Sequence, residues 1–467
     1  MSLTAQNEGI MRMQAGEGAP IMFRKVPLGV VEVLKHMQTE LVREEQLTRS
    51  VIDNCGSGAL IVFYQVLNQL AQQGMVCFTL MANGHHLACL QPSTHRFKYR
   101  SDSVDHAARY VLSRFAYCRL NAGQFVLESS IGQATITLLD SQAHQIIAEL
   151  ASPVSVTSIA ATMPNIAPGE IGQFLNFLLN ASAITPIVDC VDSDDNHTTE
   201  EDADAALSHW EFHDLLFHSR SRLGRHHHNY GGTLHMLGKI APLAVKKNGL
   251  KGEIIPLAKP NLPQLIEDDM PFTAVLEQRR SVRKYAEKPI TVEQLGHFLY
   301  RVAHVQQVFR DAEHGTDFML RPTPNGGAIH ELEIYPIVES CEGLAQGLYY
   351  YNPFEHQLHK LAEKTVFVAG LLQMAWHTAN RESPIQVCLA VTARFQRTQW
   401  KYQSIAYALQ LKHVGVLYQT MYLVATAMGL APCALGGGDS DLFARAADLN
   451  YYAETTVGEF LLGSKKA

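Results

Sequence analysis

Between residues 189 and 204 the chain reads DCVDSDDNHTTEEDAD, which holds eight acidic side chains, no Lys or Arg, and almost nothing able to pack. A stretch that buries no apolar surface cannot offset the entropy lost on ordering it, so the sequence predicts a solvated acidic linker over 189–206. That linker divides everything else. The C-terminal part, 207–467, is long enough for a complete enzyme domain, and the N-terminal part has room for two smaller units, 1–100 and 101–188.

Composition narrows the classes. Of 467 residues, 47% are hydrophobic and 18% charged, the balance of a globular chain. A formal net charge of −7 gives no overall positive field for nucleic acid or anionic lipid. The eight cysteines contain no C-x-x-C pair, which argues against a zinc ribbon or a thioredoxin-like motif; they are read as reduced and mostly buried. The first residues lack the apolar run of a signal peptide, and the expected location is the cytoplasm. Residues 414–438 carry no charge, but Gly429 and Pro432 interrupt them, so the expectation is a buried core helix over 414–428 and no membrane association.

In the N-terminal half, residues 124–139 alternate and are rich in β-branched side chains, predicting two strands. An N-cap at Asp140 or Ser141 then precedes Ala143, Ile146, Ile147 and Leu150 at helical spacing. Residues 164–169 break the pattern, and Ile171, Phe174, Leu175 and Leu178 resume it. The first unit offers a helix near 59–72 and two strands joined at Asn83-Gly84. Strand, strand, helix, helix is a winged-helix order, so two tandem winged-helix-like modules are expected, suited to docking a peptide along a sheet edge. Arg96, Lys98, Arg100, Arg109, Arg114 and Arg119 form the one basic stretch able to meet phosphates; the acidic whole favours no nucleic-acid role.

The C-terminal half carries the chemistry. FTAVLEQRRSVRKY at 272–285 is a short amphipathic helix ending in a basic run, where guanidinium forks and Ser281 suit a dianionic phosphate. PTPNGGAIH at 322–330 places Asn325-Gly326-Gly327 before a strand, so that backbone comes close to a flat ligand. A third element, Gly436-Gly437-Gly438-Asp439, makes room for a ring or a phosphate. Neither a P-loop nor a G-x-G-x-x-G after a strand occurs, which disfavours an NTPase and a Rossmann dinucleotide site. His209/His213 and His226 to His228 lack a third ligand at a defined spacing, and H-W-E-F-H is not H-E-x-x-H; no metal is expected.

Five ordered segments, SRSRLGRH (219–226), RRSVRKY (279–285), PNGGAIHELEIY (324–335), the stretch from Trp400 to Leu430, and CALGGGDSD (433–441), resemble the nitroreductase superfamily, and within it the SagB/ThcOx-type azoline oxidases such as the cyanobactin thiazoline oxidases. The resemblance covers about the last 260 residues. It implies an α+β, FMN-binding domain that dimerises around its cofactor. Arg279, Ser281 and Arg283 would hold FMN, with Lys465 near the phosphate and Asn325, Gly326, Gln419, Gly436 and Gly437 near the ring; Asn325 stands where related oxidases usually carry Ser. The adjacent Lys401-Tyr402 would be catalytic, Lys401 as a desolvated base and Tyr402 as proton donor or relay. The implied reaction oxidises thiazolines, and oxazolines, in a ribosomally made peptide, with O₂ as acceptor. An NAD(P)H-fed nitroreductase or flavin reductase and a flavin-less precursor-docking protein are the rival readings.

Overall fold

The computed structural model describes residues 2–6, 10–14, 21–101, 103–188, 198–226 and 228–466, with backbone alone for 2–6, 10 and 14. It divides into two compact units, Met1–His228 and Asn229–Ala467.

The first unit opens with a three-stranded antiparallel sheet, β1 (Ser2–Gln6), β2 (Ile10–Gln14) and β3 (Ile21–Phe23), followed by α1 (Leu28–His36), α2 (Glu44–Cys55) and α3 (Leu60–Gln72). Val30, Val33, Leu34, Phe63 and Leu70 pack on Met11 and Met13. Next come β4 (Phe78–Ala82) and β5 (His85–Pro92), turned by Asn83 and Gly84, both at positive φ as a two-residue hairpin requires. After β6 (Tyr110–Leu112) run β7 (Ala116–Asn121), β8 (Gln124–Ser129) and β9 (Ala134–Leu138). The two hairpins share one sheet: β5 pairs with β9, so a sheet of order β4-β5-β9-β8-β7 runs through both stretches. Three helices follow where the periodicity predicts two, α4 (Ser141–Glu149), α5 (Val156–Thr162) and α6 (Pro168–Asn180). Asp140 caps the first and Ser155 the second, and that second cap is the break the apolar spacing hides.

The acidic segment is only partly a linker. Residues 189–197 lie outside the described residues, but after β10 (Ile184–Val188) the chain forms β11 (Thr198–Thr199), which pairs with β10, and α7 (Glu200–Ala203). Glu201 is 5% exposed, and burial raises its carboxyl above the usual range against the hydrogen bonds of Ser113 and Arg114. Arg114 also pairs with Asp202 at 3.0 Å, so part of the acidic run is folded around an arginine that the sequence left facing solvent. Arg119 is likewise consumed, 2.7 Å from buried Glu128, which also holds Arg220 of α8 (Phe212–Arg220). The cysteines are less buried than expected: Cys341, Cys388 and Cys433 are, while Cys77 and Cys118 are exposed.

The second unit is a three-layer α/β/α sandwich. After β12 (Gly231–Gly232) come β13 (Ile254–Pro256), α9 (Leu262–Asp268), α10 (Phe272–Gln278) and α11 (Val292–Ala303), then a separate hairpin, β14 (Gln307–Asp311) and β15 (Thr316–Leu320). The remainder is β16 (Leu332–Val338), β17 (Gly347–Asn352), β18 (Gln357–Ala362), α12 (Val366–Thr378), β19 (Val387–Arg394), α13 (Phe395–Lys401), β20 (Tyr402–Gln403), α14 (Ala406–Ala427), β21 (Leu430–Leu435), α15 (Ser440–Ala446) and β22 (Glu454–Ser464). The sheet order is β13-β18-β17-β16-β19-β22-β21. Alternation along β19 explains the layers: Val387, Leu389, Val391 and Ala393 face the core under α11 and α14, whereas Cys388 and Ala390 face that under α12 and α15. Covering both faces is what a near-continuous apolar strand demands, and burying a side chain such as Phe298 or Phe460 contributes about 1.5–3 kcal/mol.

Helix α14 begins eight residues before the predicted start. Gln410 and His413 look like a polar interruption in the sequence, yet both are buried on the face that carries Leu417 and Met421. Among the described residues no helix is long and apolar enough to cross a membrane.

Candidate active site

Beyond α10 the chain leaves the helix at Arg279 and runs extended beside the sheet. Val282 N–H donates to Pro432 O at 2.8 Å and Ala286 N–H to Ser464 O at 3.1 Å. Tyr285 lies so close to Gly463 that a methyl group there would approach its ring to 2.5 Å. This fixes the basic run against the end of β21 and β22. Tyr422 of α14 completes the support: its hydroxyl accepts Ala434 N–H at 2.8 Å and is hydrogen-bonded to Ser281 Oγ at 2.8 Å, while the Arg279 guanidinium stands 5.3 Å from its ring centre. Arg283 Nε is buried with no partner, and exposed Lys465 bridges to Tyr285 in the adjoining strand. A buried guanidinium N–H left unpaired costs free energy until an acceptor arrives, so Arg279, Ser281, Arg283 and Lys465 fit an anionic phosphate such as that of FMN.

Of the glycine triplet, Gly438 is closely approached by the Glu459 carboxylate, 2.1 Å from where a Cβ would stand, so any side chain there would have to displace that carboxylate. Gly436 and Gly437 have nothing within 4 Å of a Cβ position and leave open space. Asp439 caps α15 by accepting Leu442 N–H at 2.8 Å.

The second cluster forms around the Asn325-Gly326-Gly327 turn. Gly327 has φ +64°, and a methyl group on it would lie 2.8 Å from Tyr402 Oη and 2.9 Å from Lys401 Nζ. The positive φ favours glycine here, and its lack of a side chain lets Lys401 Nζ and Tyr402 Oη close in on the turn. Lys401 ends α13, with its Nζ 5.4 Å from the Phe318 ring centre of β15; Tyr402 begins β20, held by pairing with Gly232 of β12. Burial, with a smaller contribution from Glu331, raises the Tyr402 phenol above its ordinary range and keeps it protonated.

Beneath the turn is a network that the motifs did not reveal. Glu331, fully buried, accepts a hydrogen bond from His413 Nδ1 at 2.7 Å and from Asn325 Nδ2 at 3.0 Å. His413 Nε2 accepts Gly326 N–H at 2.8 Å, and Asn325 Oδ1 accepts His330 N–H at 3.0 Å. Burial alone would raise the Glu331 carboxyl, but the hydrogen bonds of His413 and Asn325 outweigh it and hold it below the usual range. The Gly326 amide is therefore spent inside the protein: the turn offers a ligand space and shape, not that donor. The sequence did carry a signal, two glutamates at alternate positions in HELEIY, a segment otherwise reading as a buried strand.

One helix links the clusters. His413 and Tyr422 are nine residues apart on α14, roughly 14 Å along its axis, with exposed Gln419 between them. Of the histidines singled out in the sequence, a ring nitrogen of His209 bonds Ala205 O at 2.9 Å, and one of His226 bonds Arg220 O at 3.0 Å with the His228 ring centre 5.3 Å from its own; His227 lies outside the described residues.

Residues 110–227 match the family described as cyanobactin oxidase ThcOx, and residues 276–463 match the nitroreductase family. A Methanocaldococcus jannaschii protein named as a nitroreductase, MJ1384, is 29% identical over 189 residues, which are 40% of this chain and 85% of that protein. The trifolitoxin-processing protein TfxB of Rhizobium leguminosarum bv. trifolii is 25% identical over 117 residues, 24% of this chain and 31% of TfxB. A solved structure from Anabaena variabilis named as a nitroreductase aligns with 100% of this chain and 96% of its own at 15% identity and a TM-score of 0.39. The chain therefore carries a segment similar to the cyanobactin oxidases, followed by one similar to the nitroreductase family that holds nearly all of both clusters described above.

Proposed function

We propose that the chain is an FMN-dependent azoline oxidase that converts thiazolines, and oxazolines, in a ribosomally made peptide to thiazoles and oxazoles, with O₂ as terminal electron acceptor. The observation that carries this reading is the meeting of Lys401, Tyr402 and the glycine turn at one point of a nitroreductase-family domain. The cyanobactin-oxidase segment and the peptide-processing name of TfxB support a peptide substrate.

Aromatising the ring removes a proton from the α-carbon and a hydride from the β-carbon, two hydrogens in all. Bound FMN would supply the two-electron acceptor. The chain would hold its phosphate with Arg279, Ser281, Arg283 and Lys465, and would line its ring with Asn325, Gly326, Gln419, Gly436 and Gly437. Lys401 Nζ takes the α-proton, and Tyr402 Oη, still protonated, donates to the heterocycle. The glycine turn, tied down by His413 and Glu331, keeps side-chain bulk away from both. The exposed part of α14, with Leu411, Gly415 and Gln419, packs on a second copy to give a homodimer. The first unit docks the peptide.

Mass spectrometry of a thiazoline peptide incubated aerobically with the protein tests the reading: each ring should lose two hydrogens. Consumption of NADH with the peptide unchanged would favour a reductase, and a colourless, inactive protein would favour a docking role.

A further inference from the structure

We infer that a cleft of about 570 Å³ on the second unit seats the uncharged, apolar residues that flank the reacting ring of the substrate peptide. This rests on the azoline-oxidase reading and adds the specificity of the same site.

One wall is residues 236–248, which form neither helix nor strand. They are nonetheless fixed, because side chains from β19 and α13 hold their carbonyls. Trp400 Nε1–H donates to Ile240 O at 2.7 Å, Arg397 to Leu243 O at 2.7 Å, and Arg394 to Ala244 O and Val245 O at 2.8 Å each. The apolar side chains Leu237, Ile240 and Leu243 on this stretch are 45%, 60% and 39% exposed. The opposite wall is α13, with the indole of Trp400 and the exposed amides of Gln396 and Gln399.

Two features choose the occupant. Leu243 and Trp400 line both this cleft and the narrow gap that contains Lys401 and Phe318, so the cleft adjoins the catalytic point. Chain leaving a ring at Lys401 has this path before it. The charges at the cleft are already answered within the protein: Lys247 by Glu454 at 2.6 Å, Lys246 by Glu355, and Arg394 by Glu333 at 3.4 Å. A charged peptide residue would be desolvated there without a partner, whereas apolar side chains meet Met236, Ile240 and Leu243. Gln396 and Gln399 each donate and accept, which matches the peptide group of an extended backbone.

The test uses the full chain, Ile240→Asp and Met236→Asp, with three probes: a thiazoline hexapeptide flanked by Val and Ala, the same peptide flanked by Asp, and an isolated thiazoline amide with no flanks. Wild type should prefer the Val/Ala peptide over the Asp peptide by roughly tenfold in kcat/KM, the scale of a lost apolar contact. Ile240→Asp should raise KM for the Val/Ala peptide by about the same factor, leaving kcat and the isolated thiazoline unchanged. Equal use of both peptides, or equal loss on the isolated ring, would overturn the proposal. Anisotropy of a fluorescent Val/Ala hexapeptide without a ring measures binding separately. If it binds wild type and not Ile240→Asp while no ring is oxidised, the groove stands and the oxidase reading falls; if it binds both equally, the groove falls.

Discussion

The two ends of α14 are finished differently. At Tyr422 the protein leaves Arg283 Nε buried and unpaired, beside the exposed Lys465 and a Ser281 whose hydroxyl bonds only Tyr422. At His413 the reverse holds, since the Gly326 amide, the Asn325 side chain and the Glu331 carboxylate all bond one another or His413. An unfinished site waits for a ligand's charge, while a saturated one presents a fixed shape. The difference teaches that the first end should set affinity for a cofactor and the second should set geometry for chemistry.

The sharpest way to break the comparison is to remove Arg279 and Arg283 together. With roughly 1.5–3 kcal/mol for each charge-assisted contact, Ala at both positions should weaken FMN binding by about 100-fold or more, read as flavin lost on dilution. Thermal unfolding of the cofactor-free protein should barely move. Full flavin occupancy in this variant would mean the phosphate lies elsewhere.

Lys401→Ala acts at the other end. It should stay yellow, yet oxidise peptide at least roughly 100-fold more slowly, with Tyr402→Phe also impaired. Anaerobic single-turnover bleaching isolates this step; bleaching at the wild-type rate in both variants would make the pair structural.

Next in size is His413→Ala, which strands the Gly326 amide and one Glu331 contact inside the core. A buried donor left unsatisfied costs about 1–3 kcal/mol, so the melting temperature should fall while flavin affinity changes less than in the arginine pair. A flavin loss equal to that of the arginine variant would erase the division of labour.

The most gradual effect is with pH. Burial pushes the His330 imidazole down to about 3, helped by Arg321, His413 and Arg397 against the opposing Glu331. Between about 6.5 and 3 the unfolded chain binds a proton that the folded one refuses, so stability is present above this window and lost as pH falls through it. The loss is at most about 1.4 kcal/mol per pH unit. His330→Asn, which tolerates the positive φ of 47°, should flatten that acid limb; an unchanged limb would assign it to other groups.

What the sequence disclosed follows from range. The amphipathic α10 ending in Arg279, the hairpin turned at Asn83-Gly84 and the Gly326-Gly327 turn are local, and each shows in a few neighbouring residues. The Glu331–His413 pair is 82 residues apart, so no spacing rule finds it; the alternate glutamates of HELEIY were the available hint. Charge misled where it was read locally: the run at 198–204 looked solvated because Arg114, which it surrounds, lies nearly ninety positions upstream. The exposed Leu237, Ile240 and Leu243 likewise belong to no helix or strand, because arginines and a tryptophan from β19 and α13 hold that backbone.

The pairing of β5 with β9 has a mechanical consequence. Five residue pairs, from Ala88 opposite Leu138 to Pro92 opposite Ala134, stitch the early hairpin to the later one. Cutting the chain near residue 100 would strip that ladder from both fragments and leave two raw edges prone to pair with other chains. The early and late stretches of the first unit should therefore melt in one cooperative step, and neither can be lent to another protein as a cassette without its neighbour.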